Sequence, residues 1–394
     1  MDSKLQRLEQ NGARYRIACR KSAAFVDEQT HNGKPFRTYT QNEAAKALGI
    51  NNRQLVKLCE QHGLDVPMVG CRWSLPLPDL FRLREAVGQQ AKANASRMIV
   101  SSVLNIKGGV GKTTTAMTLA TGLAIEAKTQ YRILVVDADG QTNMCTGYMA
   151  PQIDTEDTVL SELLTLAGDP TLPDSELAQQ VTAALKKTNI PNLDLLPGGV
   201  ADKLFEAWVQ RGLADGKITS PYSLLSRLLS VIAPYYDVVL IDTSPALNFL
   251  LYNVLAASDV LIVPVKPDHN DTDATGDFLS VLPQIKAAIE AHCPLHWSEI
   301  KLIMTDLDKR SVPNQQKAAI LRELFGQDLM LGQIPHSEAI KHCSSLMSSI
   351  YELSPSEYPG GRASLINAQA ECLQAVFEFE EIMQNIWRKE ANHG

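Results

Sequence analysis

Apolar residues along this chain fall into short runs separated by longer stretches with helical spacing. Nearly continuous apolar runs at residues 99–106, 132–136, 193–196, 237–241, 260–265, 301–304 and 329–331 read as buried strands. Between them, residues 113–127, 221–232, 273–292 and 313–325 carry apolar positions at helical spacing, and the second of these opens on a proline suited to a first turn. Strands without a polar face, alternating with helices, predict an α/β fold: a mostly parallel sheet with helices on both faces. Ligands of such a sheet bind at the carboxyl ends of its strands.

The start of the chain is patterned differently. Residues 3–30 suggest a helical lead segment with Leu5 and Leu8 three apart and no strong core pattern, able to pair with a partner chain. Thr40-Gln41-Asn42-Glu43 is a capping box opening a short helix that Gly49 stops. A second helix over Asn52–Gln61 follows, with Leu55, Leu58 and Cys59 inward and Asn52, Arg53, Gln54 and Lys57 outward. Two short helices about a glycine turn have the spacing of a helix-turn-helix, and these outward side chains can bond base edges or phosphates. Residues 69–75, with Arg72, and 79–84 resemble the wing and following helix of winged helix-turn-helix domains of MerR type. A small helical packing module is the alternative. Residues 88–96 lack an apolar face and read as a linker. The expected division is a lead segment at 1–35, a winged helix-turn-helix at 36–87, a linker at 88–97 and the α/β body at 98–394.

Charge sharpens this division. Residues 1–96 hold 15 Lys and Arg against 9 Asp and Glu, a net of +6, whereas the remainder holds 22 against 35, a net of −13. A basic head on an acidic body suggests nucleic acid as the partner of the head, although a solvated basic domain carries the same charge. Seven cysteines without a C-x-x-C suggest buried thiols rather than a disulfide framework or zinc knuckle. Charges spread through the first twenty residues, and no apolar run nears the roughly 20 residues of a membrane span. The expectation is a cytoplasmic protein.

Candidate chemistry centres on Lys107-Gly108-Gly109-Val110-Gly111-Lys112-Thr113-Thr114, between the first strand of the body and a helix. A glycine-rich turn there aims backbone N–H groups and the positive end of a helix at one point, where a polyphosphate fits. Two further apolar strands end in acids: residues 133–136 lead to Asp137 and Asp139, and 238–241 lead to Asp242.

KGGVGKTT resembles the deviant Walker A motif of the ParA/MinD ATPases, whose first lysine reaches the partner subunit's nucleotide in a dimer. The resemblance runs from about Met98 to near the end, and with the head the chain resembles the larger ParA proteins that carry a helix-turn-helix. It implies that ATP or ADP is bound by residues 107–114 and near Pro335. Lys107 then acts in trans, Lys112 neutralises the β- and γ-phosphates, and Asp139 positions the attacking water. Mg²⁺ is assigned to Thr113, Asp137 and Asp242. Gly140 stands where the family usually has proline, which implies a looser loop. Family members bind non-specific DNA through basic residues of the C-terminal half, where Lys309, Arg310 and Lys341 are the local counterparts. The implied function is partition of plasmid or chromosomal DNA by an ATP-dependent dimer on the nucleoid, with a ParB-type centromere-binding protein stimulating hydrolysis and an ADP form repressing its own operon.

Three alternatives remain. A MinD-like membrane-cycling ATPase needs a basic amphipathic last helix, whereas residues 364–387 carry Glu371, Glu378, Glu380 and Glu381. An iron–sulfur reductase needs closely spaced cysteines. A transcription regulator that only senses nucleotide would lack DNA- and ParB-stimulated turnover.

Overall fold

The structure is a computed structural model, and it describes residues 11 and 15 and the stretches 34–89, 91–93, 95–140, 144–150, 157–199 and 202–393. Most of the expected lead segment therefore lies outside the described residues. The chain begins with β1 (Thr38–Tyr39), α1 (Gln41–Ala47), α2 (Asn52–Gln61), β2 (Met68–Val69), β3 (Arg72–Trp73), β4 (Leu75–Pro76), α3 (Leu77–Ala86) and β5 (Ala91–Lys92). The body follows with β6 (Ile99–Val103), α4 (Lys112–Glu126), β7 (Thr129–Gln130), β8 (Ile133–Ala138), α5 (Met144–Met149), α6 (Leu160–Ala167), α7 (Asp174–Ala184), β9 (Lys186–Lys187), β10 (Leu193–Leu196) and α8 (Asp202–Ala214). It continues through α9 (Leu224–Ser230), β11 (Val238–Thr243), α10 (Phe249–Ala257), β12 (Val260–Val265), α11 (His269–Glu290), β13 (Glu299–Leu307), α12 (Val312–Phe325), β14 (Leu329–Pro335), α13 (Glu338–Ser345) and α14 (Arg362–His393).

Eight strands form one sheet in the order β14-β13-β12-β6-β11-β8-β10-β9, with the β9–β10 pair antiparallel and the other pairs parallel. The period of two along each strand divides its apolar residues between the faces. Ile133 and Val135 join the core beneath α4 and α14, whereas Leu134 and Val136 join the core beneath α6 to α9. On β12, Val260 and Ile262 face the first core, and Leu261, Val263 and Val265 face a third beneath α10 to α12. The expected doubly covered parallel sheet is thus present.

Two glycines let α14 lie close to the body. A Cβ at Gly122 on α4 would stand 2.5 Å from Val376, and one at Gly332 on β14 would stand 2.3 Å from Ala375. The acidic last helix buries Leu365, Val376, Ile382 and Ile386 against the body, whereas Ile366 and Phe377, which belong to the same apolar pattern, are exposed. No helix among the described residues is long and apolar enough to cross a membrane.

In the N-terminal module α1 opens with the Thr40–Glu43 capping box, and α2 opens with a second one between Asn51 and Gln54. The two helices are joined at Gly49, whose φ of 63° suits glycine. β2 and β3 form the expected antiparallel hairpin, and β1 pairs with β4. The module is anchored to the body through buried polar contacts. Arg84 Nη1 donates to the Ile125 carbonyl at 2.5 Å, in the last turn of α4, and Arg37 Nη1 donates to the Tyr351 carbonyl at 2.8 Å. Lys34 pairs with Glu352 and donates to the carbonyls of Tyr148 and Met347. Residues 88–97, expected as a linker, differ from that reading. β5 lies parallel to β7, and Ala93 and Ala95 pack on the core, because an extended segment can pair its backbone without an apolar face of its own.

Candidate nucleotide site

β6, β8 and β11 lie side by side, with Val103 opposite Asp242 and Asp242 opposite Asp137. Their carboxyl ends, distant in sequence, therefore meet beneath the glycine-rich turn. That turn is shaped by Gly109 and Gly111, with φ of 79° and 84°, and leads directly into Lys112, the first residue of α4. Positive φ at both positions is why glycine is needed there. Asn105, just after β6, and Thr305 on β13 brace the turn. Asn105 Oδ1 accepts the Lys107 N–H at 3.0 Å while its amide donates to the Pro264 carbonyl and the Thr275 hydroxyl, each at 2.9 Å. Thr305 donates to the Val110 carbonyl at 2.8 Å.

Lys112 is buried, and its Nζ donates to the Lys107 carbonyl at 3.1 Å. Burial lowers its pKa, opposed by the Asp242 and Asp139 carboxylates. Thr113 and Thr114 occupy the first turn of α4. Asp242 is fully buried beside Thr113, and among the described residues neither carboxylate oxygen makes a well-formed hydrogen bond. Burial, then the Asp137 carboxylate, push its pKa well up, against the opposing influences of Thr113 and Lys112. A buried carboxylate of this kind is costly unless a cation compensates it, and its place beside a phosphate-binding turn suits a hydrated Mg²⁺.

Asp137 is differently engaged. One oxygen accepts the Thr146 N–H and hydroxyl at 2.7 and 2.6 Å, and the other accepts the Asp139 N–H at 3.1 Å. Its carboxylate thereby holds the backbone that carries Asp139, itself buried. Burial raises the Asp137 pKa to about 6, partly offset by those hydrogen bonds. A carboxyl group raised in the folded state is more easily ionised in the unfolded chain, so its contribution is greatest at low pH and is lost as pH rises through the folded value. Asp242 acts in the same sense. The nucleotide-free protein is therefore expected to melt higher when pH falls from about 7 to about 5, and Mg–nucleotide should flatten the trend. Differential scanning calorimetry across that range checks it; a melting temperature that falls on acidification would refute it.

Gly140 departs from the expected looseness. A Cβ there would stand 2.8 Å from the Asp202 Cβ, at the start of α8. Asp202 in turn accepts the N–H groups of Ser161 and Gly199 at 3.0 and 2.9 Å. The glycine admits a close approach between two segments, and proline would collide with Asp202. Gln141 lies outside the described residues. Pro335 ends β14 beside Leu307, two residues beyond Thr305, so it belongs to the same end of the sheet as the glycine-rich turn.

The AAA_31 model, an AAA domain, matches residues 97–294, half of the chain. The chain belongs to this AAA domain family. It is 28% identical over 253 residues to the chromosome partitioning protein ParA of Caulobacter vibrioides, covering 64% of this chain and 86% of that one. A Rhizobium rhizogenes protein carrying a replication protein A name is 28% identical over 372 residues, 91% of this chain and 89% of the relative. That longer match takes in much of the chain ahead of the AAA domain. Among solved structures, one titled Partition Protein has the same fold, with a TM-score of 0.67 and 20% identity over 89% of this chain and 93% of the other. A Cyanothece McdA–ATP complex has a TM-score of 0.54 at 18% identity, over 71% and 95%. The ParA-type resemblance carried by KGGVGKTT is borne out.

Outside the AAA domain, Asn52, Arg53, Gln54, Lys57 and Arg72 are all exposed, the first four on α2 and the last on the hairpin. Gln54 is partly engaged, since its Oε1 accepts the Asn51 N–H at 3.0 Å in the capping box. Asn52 donates to Asn42 at 2.7 Å. On the far side of the AAA domain, Lys309, Arg310 and Lys341 pair with Glu371, Asp308 and Glu338 at 2.6, 3.2 and 2.9 Å. Exposed pairs of this sort are weak and screened by solvent, so a phosphate can displace them. Sequence reading did not single out Asn105, Thr146 or Thr305, which carry no motif and act mainly through partners distant in sequence.

Proposed function

We propose that this chain is a Mg²⁺-dependent partition ATPase whose nucleotide state governs its hold on DNA. The observation that carries the reading is the meeting of the glycine-rich turn and Lys112 with the buried carboxylate of Asp242, beside Thr113. Residues 107–114 form an anion cradle at a helix start, and Lys112 offers the charge for the β- and γ-phosphates. Thr113, with Asp242 acting through water, would hold Mg²⁺, which when bound neutralises charge developing on the transferred phosphoryl group. Asp137, whose oxygens are occupied by Thr146 and the Asp139 N–H, supports that shell indirectly by fixing the loop.

Asp139 positions the attacking water, Pro335 borders the base, and Lys107 reaches the nucleotide of a second copy in an ATP-bound dimer. That dimer binds nucleoid DNA without sequence preference, with Lys309, Arg310 and Lys341 contributing to the surface. A ParB-type centromere-binding protein stimulates hydrolysis, and the ADP form binds operator DNA through Asn52, Arg53, Gln54, Lys57 and Arg72. The chromosome partitioning name of the Caulobacter relative supports a partition role. ATP drives it only insofar as it favours the DNA-competent dimer over the other states.

Binding to a fluorescent random-sequence duplex tests the proposal in four states: no nucleotide, ADP–Mg²⁺, ATP–Mg²⁺ and a non-hydrolysable ATP analogue, at one salt concentration. Binding is expected with the two triphosphates alone. Equal binding in all four states would assign DNA contact to the basic head and favour a regulator that only senses nucleotide.

A further inference from the structure

We propose that a cleft between α1, the β2–β3 hairpin and the start of α14 grips the phosphate backbone of DNA, with Arg362 at the start of α14 sharing the contact with Arg72 of the module. The proposal rests on the helix-turn-helix reading and extends the DNA surface beyond it. The cleft, of about 340 Å³, is lined by Asn42, Glu43, Arg72, Trp73, Ser356 and Arg362. Asn42 accepts a hydrogen bond from Asn52, so the cleft adjoins the N-terminal end of α2 that would enter a groove.

Both arginines are exposed, and among the described residues neither is paired with an acid. This separates them from Arg37 and Arg84, which are buried and held in the module–body contact. The acid on the cleft wall, Glu43, is already engaged: one oxygen accepts from the Thr40 N–H at 2.8 Å and from the hydroxyls of Thr40 and Ser356 at 2.7 and 3.1 Å. The same Ser356 bond, with Glu357 accepting the Thr38 N–H and hydroxyl at 3.0 and 2.6 Å, fixes the segment leading to Arg362 against the module. Two guanidinium groups at a polar cleft suit phosphodiester oxygens, which position a protein on a duplex without reading its sequence. Because α14 packs on α4, the helix that opens at Lys112, DNA held here also touches the element beside the nucleotide site.

The test measures binding of full-length protein with ADP–Mg²⁺ to a duplex spanning the DNA upstream of its own gene, titrated from about 50 to about 300 mM salt. Arg362→Ala is expected to weaken binding several-fold and to lower the slope of log affinity against log salt by roughly 0.9, and Arg362→Lys should restore the slope. Thermal melting controls for folding. Arg53→Ala, run alongside, is expected to lose preference for this duplex over random DNA. If Arg53→Ala loses that preference while Arg362→Ala keeps both affinity and slope, the cleft contact is overturned and the module reading stands. If Arg53→Ala changes nothing, the module reading falls and takes the cleft contact with it.

Discussion

Lys112→Ala is expected to lower ATP affinity by more than a hundredfold. The Lys112 ammonium is buried at the first residue of α4 and donates to a carbonyl of the turn itself. Its depressed pKa reflects burial that nearby Asp242 and Asp139 only partly offset. A buried cation so placed is matched to an incoming anion. Each charge-assisted hydrogen bond to phosphate contributes about 1.5–3 kcal/mol, and a lysine there can reach two phosphates. Its removal also leaves Asp137, Asp139 and Asp242 clustered without a compensating charge, which would repel the nucleotide further. Equilibrium titration with a fluorescent ATP analogue, with melting as the folding control, checks the outcome. Affinity within threefold of wild type would remove Lys112 from the phosphate site.

Asp139→Ala separates binding from turnover. The variant is expected to retain ATP-dependent dimerisation while hydrolysis falls by about 10²–10⁴, the usual contribution of a positioned proton acceptor. Asp139 is buried at the end of β8, and its N–H is anchored to Asp137 Oδ1 at 3.1 Å. Asp137 is in turn pinned by two bonds from Thr146. Such a chain holds the Asp139 backbone in place before nucleotide arrives, so the alanine variant should lose its carboxylate without losing the loop. Phosphate release together with analytical ultracentrifugation reads both properties. Wild-type turnover would take Asp139 out of the hydrolytic step, and a failure to dimerise with ATP would assign it to assembly instead.

The two variants differ because the cradle and the aspartate loop come from different strands. Lys112 belongs to a contiguous stretch of eight residues, and that whole signal is local: glycines at left-handed positions, a lysine and the start of a helix. Local signals survive in a linear sequence. The same holds for α2, expected and found at Asn52–Gln61, and for β10 and β12, found at Leu193–Leu196 and Val260–Val265 as their apolar runs suggest. Their capping boxes and side-chain periods act within a few residues.

Gly140 shows where local reading fails. On the chain it is an unusual glycine in an aspartate-rich loop and suggests slack. In space it faces the Asp202 Cβ, and the glycine is required by that approach. Ala91–Lys92, within the stretch read as a linker, are a second case, since their pairing partner β7 lies beyond the whole of α4.

By itself, the sequence determined the kind of chemistry: a phosphate-binding turn, acids closing two apolar strands, a doubly covered parallel sheet and a basic head with two capped helices. Tertiary structure alone decided how these parts work together. It buried Asp242 beside Lys112 and Thr113, engaged Asp137 in holding the Asp139 loop, and seated Arg84 on the last turn of the helix that starts at Lys112. The reason is physical. Propensity and periodicity are properties of neighbouring residues, whereas burial, desolvation and hydrogen-bond satisfaction depend on which distant segments the folded chain brings into contact.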